Sequence, residues 1–188
     1  MILGSHNSWS YLPVIKWWMK PIAFMARCQS VDIRKQYELG VRCFDLRVRF
    51  NGQEVGTVAH GIVEYYIESL LEDLKFLDIN NNCFVRVINE VRVEKDYTKE
   101  SVEDFIDFCA YILAMFPNIR FWCGRNLYNW QKDYDFGDDP TCDEKYGSVS
   151  KVKLLYGWWP WLYAKLYNKT IRKKEIDKEI LLIDYVNI

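Results

Sequence analysis

Short apolar runs alternate with longer segments of helical periodicity along most of this chain. Seven runs have the length and β-branched content typical of strands: 2–6, 41–50, 55–60, 83–91, 119–123, 149–156 and 180–188. Apolar residues recur at helical spacing in 30–39, 63–77 and 101–116, and a shorter helix is expected at 16–20. Asn51-Gly52 predicts a hairpin turn. The alternation indicates parallel βα units, hence an α/β sheet or barrel.

Length and charge narrow the class of protein. The 188 residues predict a single domain over 1–188, and half of them are hydrophobic. A formal net charge of -1 gives no overall attraction to nucleic acid, so no nucleic-acid partner is expected. No run reaches the ~18 apolar residues of a membrane-spanning helix, and no signal peptide is visible. The default expectation is a soluble cytoplasmic protein.

The residues that usually bind metals do not form a recognisable site in the sequence. The six cysteines are widely spaced without a Cys-x-x-Cys pair, which favours buried free thiols. The two histidines lack zinc-ligand spacing to any cysteine. Acidic residues crowd 131–148 without the glycine turn and distal glutamate of an EF-hand, which favours a solvated loop. No metal or other cofactor is therefore expected.

The two histidines of the chain both stand where a strand is predicted to end. His6 follows the first apolar run and His60 the third, while Asp45 and Arg47 lie in the run between them. Active residues of α/β barrels collect at the carboxyl ends of strands, where Glu90 also falls. Two imidazoles with an arginine and a carboxylate are typical of phosphodiester cleavage by general acid–base catalysis.

Three motifs follow one another in the first third of the chain. They are Gly4-Ser5-His6-Asn7-Ser8, Gly40-Val41-Arg42-Cys43-Phe44-Asp45-Leu46-Arg47, and His60-Gly61. In order and spacing they resemble the X-domain family of phosphatidylinositol-specific phospholipase C. The resemblance implies an α/β fold of the distorted TIM type. Because about seven strands are counted, we expect an incomplete barrel.

The resemblance also implies a role for each matched residue. His6 would be the general base that takes the proton from the inositol 2-hydroxyl, and His60 the general acid that protonates the departing diacylglycerol oxygen. Arg47 would hold the phosphoryl oxygens, and Asp45 would support the leaving-group side. The two imidazoles are then expected to face one another across a phosphate-sized gap, with Arg47 on its wall.

Two branches of the family differ at the position of Arg47. The calcium-dependent eukaryotic branch carries an acid there and the metal-independent bacterial branch an arginine, so metal-independent chemistry is expected. Asn7 is the one residue that resembles the calcium branch. We expect Asn7, Glu90 and Arg92 to contact the substrate.

The last strand holds Asp184, for which two matches stay open. It is either the aspartate of the terminal strand that orients His6, which we favour because a barrel needs its last strand beside its first, or a residue of the inositol pocket. The run at 149–156 lacks the arginine that follows it in bacterial enzymes, and the family's later half is missing or shortened. The headgroup therefore stays open: a phospholipid or another phosphodiester.

Tryptophans next to lysines suggest peripheral membrane contact. The candidates are Trp17, Trp18, Trp158, Trp159 and Trp161. The alternative is that these rings pack over an open barrel end.

Two other functions remain as alternatives. A glycerophosphodiesterase or sphingomyelinase D-like enzyme needs a metal held by a Glu-x-Asp pair, but Asp45 and Arg47 stand at those positions. The shortened second half also allows a decayed barrel that acts as a binding or structural module.

Overall fold

The computed structural model describes residues 1–50, 56–126, 159–174 and 180–188. The strands are β1 (Ile2–Ser5), β2 (Cys43–Arg49), β3 (Thr57–His60), β4 (Val63–Tyr65), β5 (Cys83–Asn89), β6 (Ile119–Asn126) and β7 (Ile180–Ile183). The helices are α1 (Ile33–Glu38), α2 (Leu70–Asn80), α3 (Lys99–Met115) and α4 (Pro160–Lys174), with 3-10 helices at Trp17–Met25 and Glu94–Asp96. A search of these residues finds no helix that meets the length and hydropathy of a membrane span.

Five parallel strands form the centre of one curled sheet, in the order β7-β1-β2-β5-β6. On the side away from β7, β1 pairs only with the first part of β2. The antiparallel β3 pairs with the last part of β2, where Val48 faces Val58. β4 extends the sheet beyond β3. Among the described residues, β6 and β7 form edges that do not pair with each other. The expected α/β fold, an incomplete TIM-type barrel, is confirmed.

Alternation along the strands gives the sheet two buried faces. The larger apolar cluster includes Phe44, Leu46 and residues of α1, α2 and α3, so it fills the layer between sheet and helices. The smaller cluster consists of Cys43, Phe84, Trp122, Ile180 and Leu182 and marks the inner face. Because successive side chains of a strand point to opposite faces, the polar residues two and four positions after Cys43 share that inner face. The barrel interior is therefore apolar at one end and charged at the carboxyl end.

The prediction of a helix over 63–77 is wrong for its first residues. Val63 and Tyr65 are buried in β4, which pairs with β3 across a tight turn at Gly61, whose φ is +58°. The helix α2 begins only at Leu70. Burial of a β-branched and an aromatic side chain against a neighbouring strand outweighed the helical spacing of the later leucines.

The other element boundaries differ by a few residues from those expected. The helix expected over 30–39 begins only at Ile33, because the side chain of Asp32 caps α1 by accepting a hydrogen bond from the Lys35 backbone N–H at 2.8 Å. Residues 160–174, which are rich in aromatic and basic side chains, form α4. The sequence pattern did not predict a helix in this segment. The Asn51-Gly52 turn, the acidic segment 131–148 and the strand expected at 149–156 lie outside the described residues.

Candidate active site

His6 is fixed at the carboxyl end of β1 by the neighbouring strand β7. Its backbone N–H donates to the Ile183 carbonyl at 3.0 Å, and its Nδ1 lies 2.7 Å from Oδ1 of Asp184. Because a carboxylate only accepts, Nδ1 carries the ring proton and Nε2 keeps its lone pair. The side chain is 5% exposed. His6 therefore has the tautomer that a general base requires.

His60 ends β3 and is anchored by the loop that precedes α1. Its Nδ1 donates to the Ala26 carbonyl at 2.7 Å, so Nε2 is again the uncommitted nitrogen. Burial lowers the pKa of His60; nearby Arg47 and His6 lower it further, while Glu90 and the Ala26 carbonyl oppose the shift. The neutral imidazole is thus favoured near neutral pH.

The two imidazole rings touch each other. Their centroids are 5.2 Å apart and their planes are nearly perpendicular, at 86°. This is edge-to-face contact, so the structure brings His6 and His60 together but closes the phosphate-sized gap expected between them. A phosphate that contacts both rings has to separate them or bind at their shared edge.

Arg47 lies between two buried carboxylates. Its Nε donates to Oδ2 of Asp45 at 2.8 Å, and its Nη1 donates to Oε2 of Glu90 at 3.3 Å. Arg86 adds a second guanidinium, 3.6 Å from Oδ1 of Asp45. Although burial raises the pKa of Asp45, Arg47 and Arg86 hold it well below its usual range. Burial lowers the pKa of Arg47, but Asp45 and Glu90 raise it well above its ordinary value, so Asp45 and Arg47 form an ionised pair.

Asp45 lies close to His6. Its Oδ2 is 3.9 Å from Nε2 of His6 and accepts a hydrogen bond from the Asn7 backbone N–H at 3.0 Å. The reason is the pairing of β1 with the start of β2, which brings the Ser8 backbone N–H to the Asp45 carbonyl at 2.8 Å. Asp45 can therefore stabilise a protonated His6.

The three residues expected to contact substrate occupy different surroundings. Glu90 is buried and ties two strand ends together, accepting from the Gly61 backbone N–H and from Arg47. Asn7 is buried with φ at +41°, and its Nδ2 donates to the Ala59 carbonyl at 3.3 Å. Arg92 is exposed and lines an open cavity. Arg92 is thus the best placed of the three to meet a ligand from solvent.

The open cavity beside His60 has a volume of about 290 Å³. It is lined by Ile22, Met25, Ala26, His60, Gly61, Ile62, Val63 and Arg92. The first two of these belong to the 3-10 helix Trp17–Met25. An apolar wall therefore leads from the protein surface to the less buried of the two imidazoles.

Sequence reasoning missed two members of this site. Cys28 is buried with its Sγ 3.6 Å from Nδ1 of His60, although nothing in the chain spacing linked the two residues. The described cysteines are free, as expected, and Cys142 lies outside the described residues. Arg86 was recognisable by alternation, since it shares the inner face with Phe84 two positions before it.

One compact group that could hold a metal ion is present in the described part of the chain. It consists of His6, Cys28 and His60. Burial raises the pKa of the Cys28 thiol well above its ordinary value, and the Asp184 charge adds to this. The thiol is therefore protonated when no metal is bound.

Exposed aromatic side chains lie on the 3-10 helix Trp17–Met25 and at the start of α4. Trp17 is 74% exposed and Trp18 is 57% exposed, and both lie on the 3-10 helix that lines the cavity. Phe24 of that helix contacts Trp159 at 5.6 Å between centroids, and Trp159 lies 6.3 Å from Trp161 at the start of α4. We call these five residues the aromatic rim. Trp158 lies outside the described residues.

No family model and no curated protein sequence matches the chain. Solved structures do match it. The phosphatidylinositol-specific phospholipase C from Listeria monocytogenes has a TM-score of 0.58 and 16% identity, covering 98% of this chain and 87% of that chain. Two variants of the enzyme from Staphylococcus aureus have TM-scores of 0.64 and 0.63 at 16% and 17% identity, each covering 98% of this chain and 85% of that chain. The resemblance seen in the sequence motifs is thus confirmed at the level of the fold: the chain shares the barrel architecture of bacterial phosphatidylinositol-specific phospholipases C.

Proposed function

We propose that this chain is a phospholipase C-like phosphodiesterase that acts without a metal ion. The observation that carries the proposal is the contact between His6 and His60, each with Nδ1 anchored and Nε2 uncommitted, beside the guanidinium of Arg47. Two imidazoles at one phosphorus centre can supply the base and the acid that phosphodiester cleavage needs.

In the proposed reaction, Nε2 of His6 takes the proton of the attacking hydroxyl while its oxygen forms a bond to phosphorus. Asp184 and Asp45 stabilise the imidazolium that results. The neutral imidazole of His60 must first take up a proton at Nε2 from solvent, and the bond from phosphorus to the leaving oxygen then breaks as His60 donates this proton to that oxygen. A hydroxyl of the substrate itself gives a cyclic phosphate, and water in a second step gives the monoester.

Arg47 is placed to bind the phosphoryl group. Its Nε and Nη1 are committed to Asp45 and Glu90, which fixes the plane of the guanidinium and leaves Nη2 as the atom to reach a phosphoryl oxygen. A donor held rigid before the reaction stabilises developing charge without reorganisation. Arg92, on the wall of the His60 cavity, supplies a second positive charge for an anionic headgroup.

A phospholipid in a membrane is the substrate class we favour. The structural relatives are named for phosphatidylinositol, and three residues of the aromatic rim lie on the 3-10 helix whose Ile22 and Met25 line the cavity beside His60. Tryptophans beside lysines suit the headgroup region of a bilayer. Peripheral contact through the rim would bring the phosphodiester of a lipid to the cavity mouth.

The closed contact between the imidazoles favours one competing function, a binding module that has lost catalysis. A metal-dependent glycerophosphodiesterase-like activity is less well supported, because the Asp45–Arg47 ion pair occupies the place of its acidic ligand pair.

Phosphorus NMR of phosphatidylinositol vesicles incubated with the chain and EDTA tests the proposal. We expect a water-soluble cyclic phosphodiester to form in the presence of the chelator. No turnover would support the binding module, and turnover only after addition of Ca²⁺ or Mg²⁺ would support the metal-dependent alternative.

A further inference from the structure

We propose that His6, Cys28 and His60 form a binding site for a zinc ion, and that zinc bound there inhibits the enzyme. The binding rests on geometry alone, whereas the inhibition rests on the function proposed above. One ligand atom from each residue lies within 4.8 Å of the other two. Two imidazoles and a thiol are ligands that Zn²⁺ prefers.

One edge of the site already has the spacing of a zinc complex. Sγ of Cys28 and Nδ1 of His60 are 3.6 Å apart. In a tetrahedral site with Zn–S of about 2.3 Å and Zn–N of about 2.0–2.1 Å, neighbouring sulfur and nitrogen ligands stand about 3.5 Å apart. To bind, His60 moves its ring proton from Nδ1 to Nε2 and gives up its hydrogen bond to Ala26.

His6 is oriented as a metal ligand from the other side. Its Nδ1 donates to Asp184, which leaves Nε2 to face the ion. Histidines that bind metals commonly donate their second N–H to a carboxylate, which fixes the ring and strengthens the ligand. Asp184 therefore supports a zinc ligand and a general base in the same way.

The charges around the three ligands favour a divalent cation. They come from three carboxylates and two guanidiniums: Asp45, Asp184, Glu90, Arg47 and Arg86. With neutral imidazoles and a protonated thiol, the group carries one excess negative charge. Zinc binding adds two positive charges and expels the thiol proton of Cys28 to solvent, so the buried group becomes formally neutral. Uncompensated buried charge is costly, which makes the zinc-bound state favourable.

Zinc in this position uses the lone pair of His6 Nε2 that the reaction needs. The base can then no longer accept the proton of the attacking hydroxyl, and His60 is held as a ligand.

Cobalt(II) is the probe for the binding test, since a thiolate ligand gives it a charge-transfer absorption band. We expect the full chain to bind one equivalent of Co²⁺ with this band, and Zn²⁺ to displace it. Cys28→Ala should lose the band and bind zinc at least tenfold more weakly. Cys83→Ala, which removes another buried thiol, should keep both, and near-ultraviolet circular dichroism confirms that each variant is folded.

The inhibition test compares each protein with its own zinc-free rate on phosphatidylinositol. Zinc should inhibit the unmodified chain, EDTA should restore the rate, and Cys28→Ala should need at least tenfold more zinc. Absence of the cobalt band, or an identical band in Cys28→Ala, overturns the site. Activation by zinc overturns its inhibitory role. A Cys28-dependent cobalt band in a chain that cleaves no phosphodiester confirms the site and contradicts only the proposed function.

Discussion

The carboxylate of Asp184 accepts a hydrogen bond from Nδ1 of His6 at 2.7 Å, across 178 positions of sequence. The contact follows from the parallel pairing of β1 with β7, in which Ser5 lies opposite Ile183. The next residue of each strand therefore meets the other at the carboxyl end. The first and last strands of the described chain together set the tautomer of the proposed base.

Asp184→Asn should lower kcat by roughly 10³–10⁴ with little change in KM. An amide in this place can donate to Nδ1, so the ring proton moves to Nε2 and the base is lost while the geometry persists. Steady-state kinetics on a soluble inositol phosphodiester measures the effect. Asp107→Asn, on an exposed position of α3, should match the unmodified chain. A drop confined to KM would contradict the assigned role.

Asp45→Asn should destabilise the fold by about 3–5 kcal/mol, since it leaves Arg47 and Arg86 without their shared buried counter-charge. Urea unfolding followed by circular dichroism gives the change in free energy. Glu38→Gln breaks an exposed ion pair with Lys35 and should leave the midpoint unchanged. Equal midpoints for both variants would show that Asp45 is not compensating these guanidiniums.

The stability of the fold should fall as the pH drops below about 6.5 because of His60. In the unfolded chain the pKa of His60 is about 6.5, and in the folded chain it is lower. The unfolded state therefore binds more protons in this pH range, and stability that is fully present above pH 6.5 is lost as the pH drops, by at most about 1.4 kcal/mol per unit. Urea midpoints of His60→Gln should depend less on pH than those of the unmodified chain. Equal or steeper dependence in the variant would contradict the lowered pKa.

The double variant Trp17→Ala with Trp18→Ala should bind anionic phospholipid vesicles at least tenfold more weakly. Each indole can bury roughly 150–250 Å² in the bilayer interface, and the variant loses this area. Sedimentation with vesicles measures the partition. Tyr111→Ala removes an exposed ring from α3 and is the matched control. Unchanged partition of the tryptophan variant would assign the rim to packing instead of membrane contact. Activity on a soluble ester should not depend on either change.

The positions of most strands could be predicted because each is a short apolar run whose pattern is local. The strand at Val63–Tyr65 was missed, since its three residues are identified only by pairing with β3. The helix Pro160–Lys174 was missed because its aromatic and basic residues do not form a clear apolar stripe. Pairing partners and burial decide such segments, and neither is visible in a single sequence.

The site was predictable where residues end strands that lie side by side. That principle brought His6, Arg47 and Asp184 to one end of the parallel sheet, whereas His60 reaches them because the antiparallel β3 runs back along β2 toward the end of β1. The proximity of Cys28 to His60 depends on the path of an irregular loop, and the contact between the rings depends on packing in three dimensions. The ion pair of Glu90 with Arg47 likewise depends on how the side chains of two adjacent strands pack.

The most direct test of the central claim measures kcat/KM for phosphodiester cleavage in EDTA by the unmodified chain and by His6→Ala, His60→Ala and the double variant. We predict that each single change lowers kcat/KM by about 10²–10⁴, and that the double variant loses less than the product of the two because both act in one step. Rates unaffected by either substitution, in variants that circular dichroism shows to be folded, would contradict the paired-imidazole account.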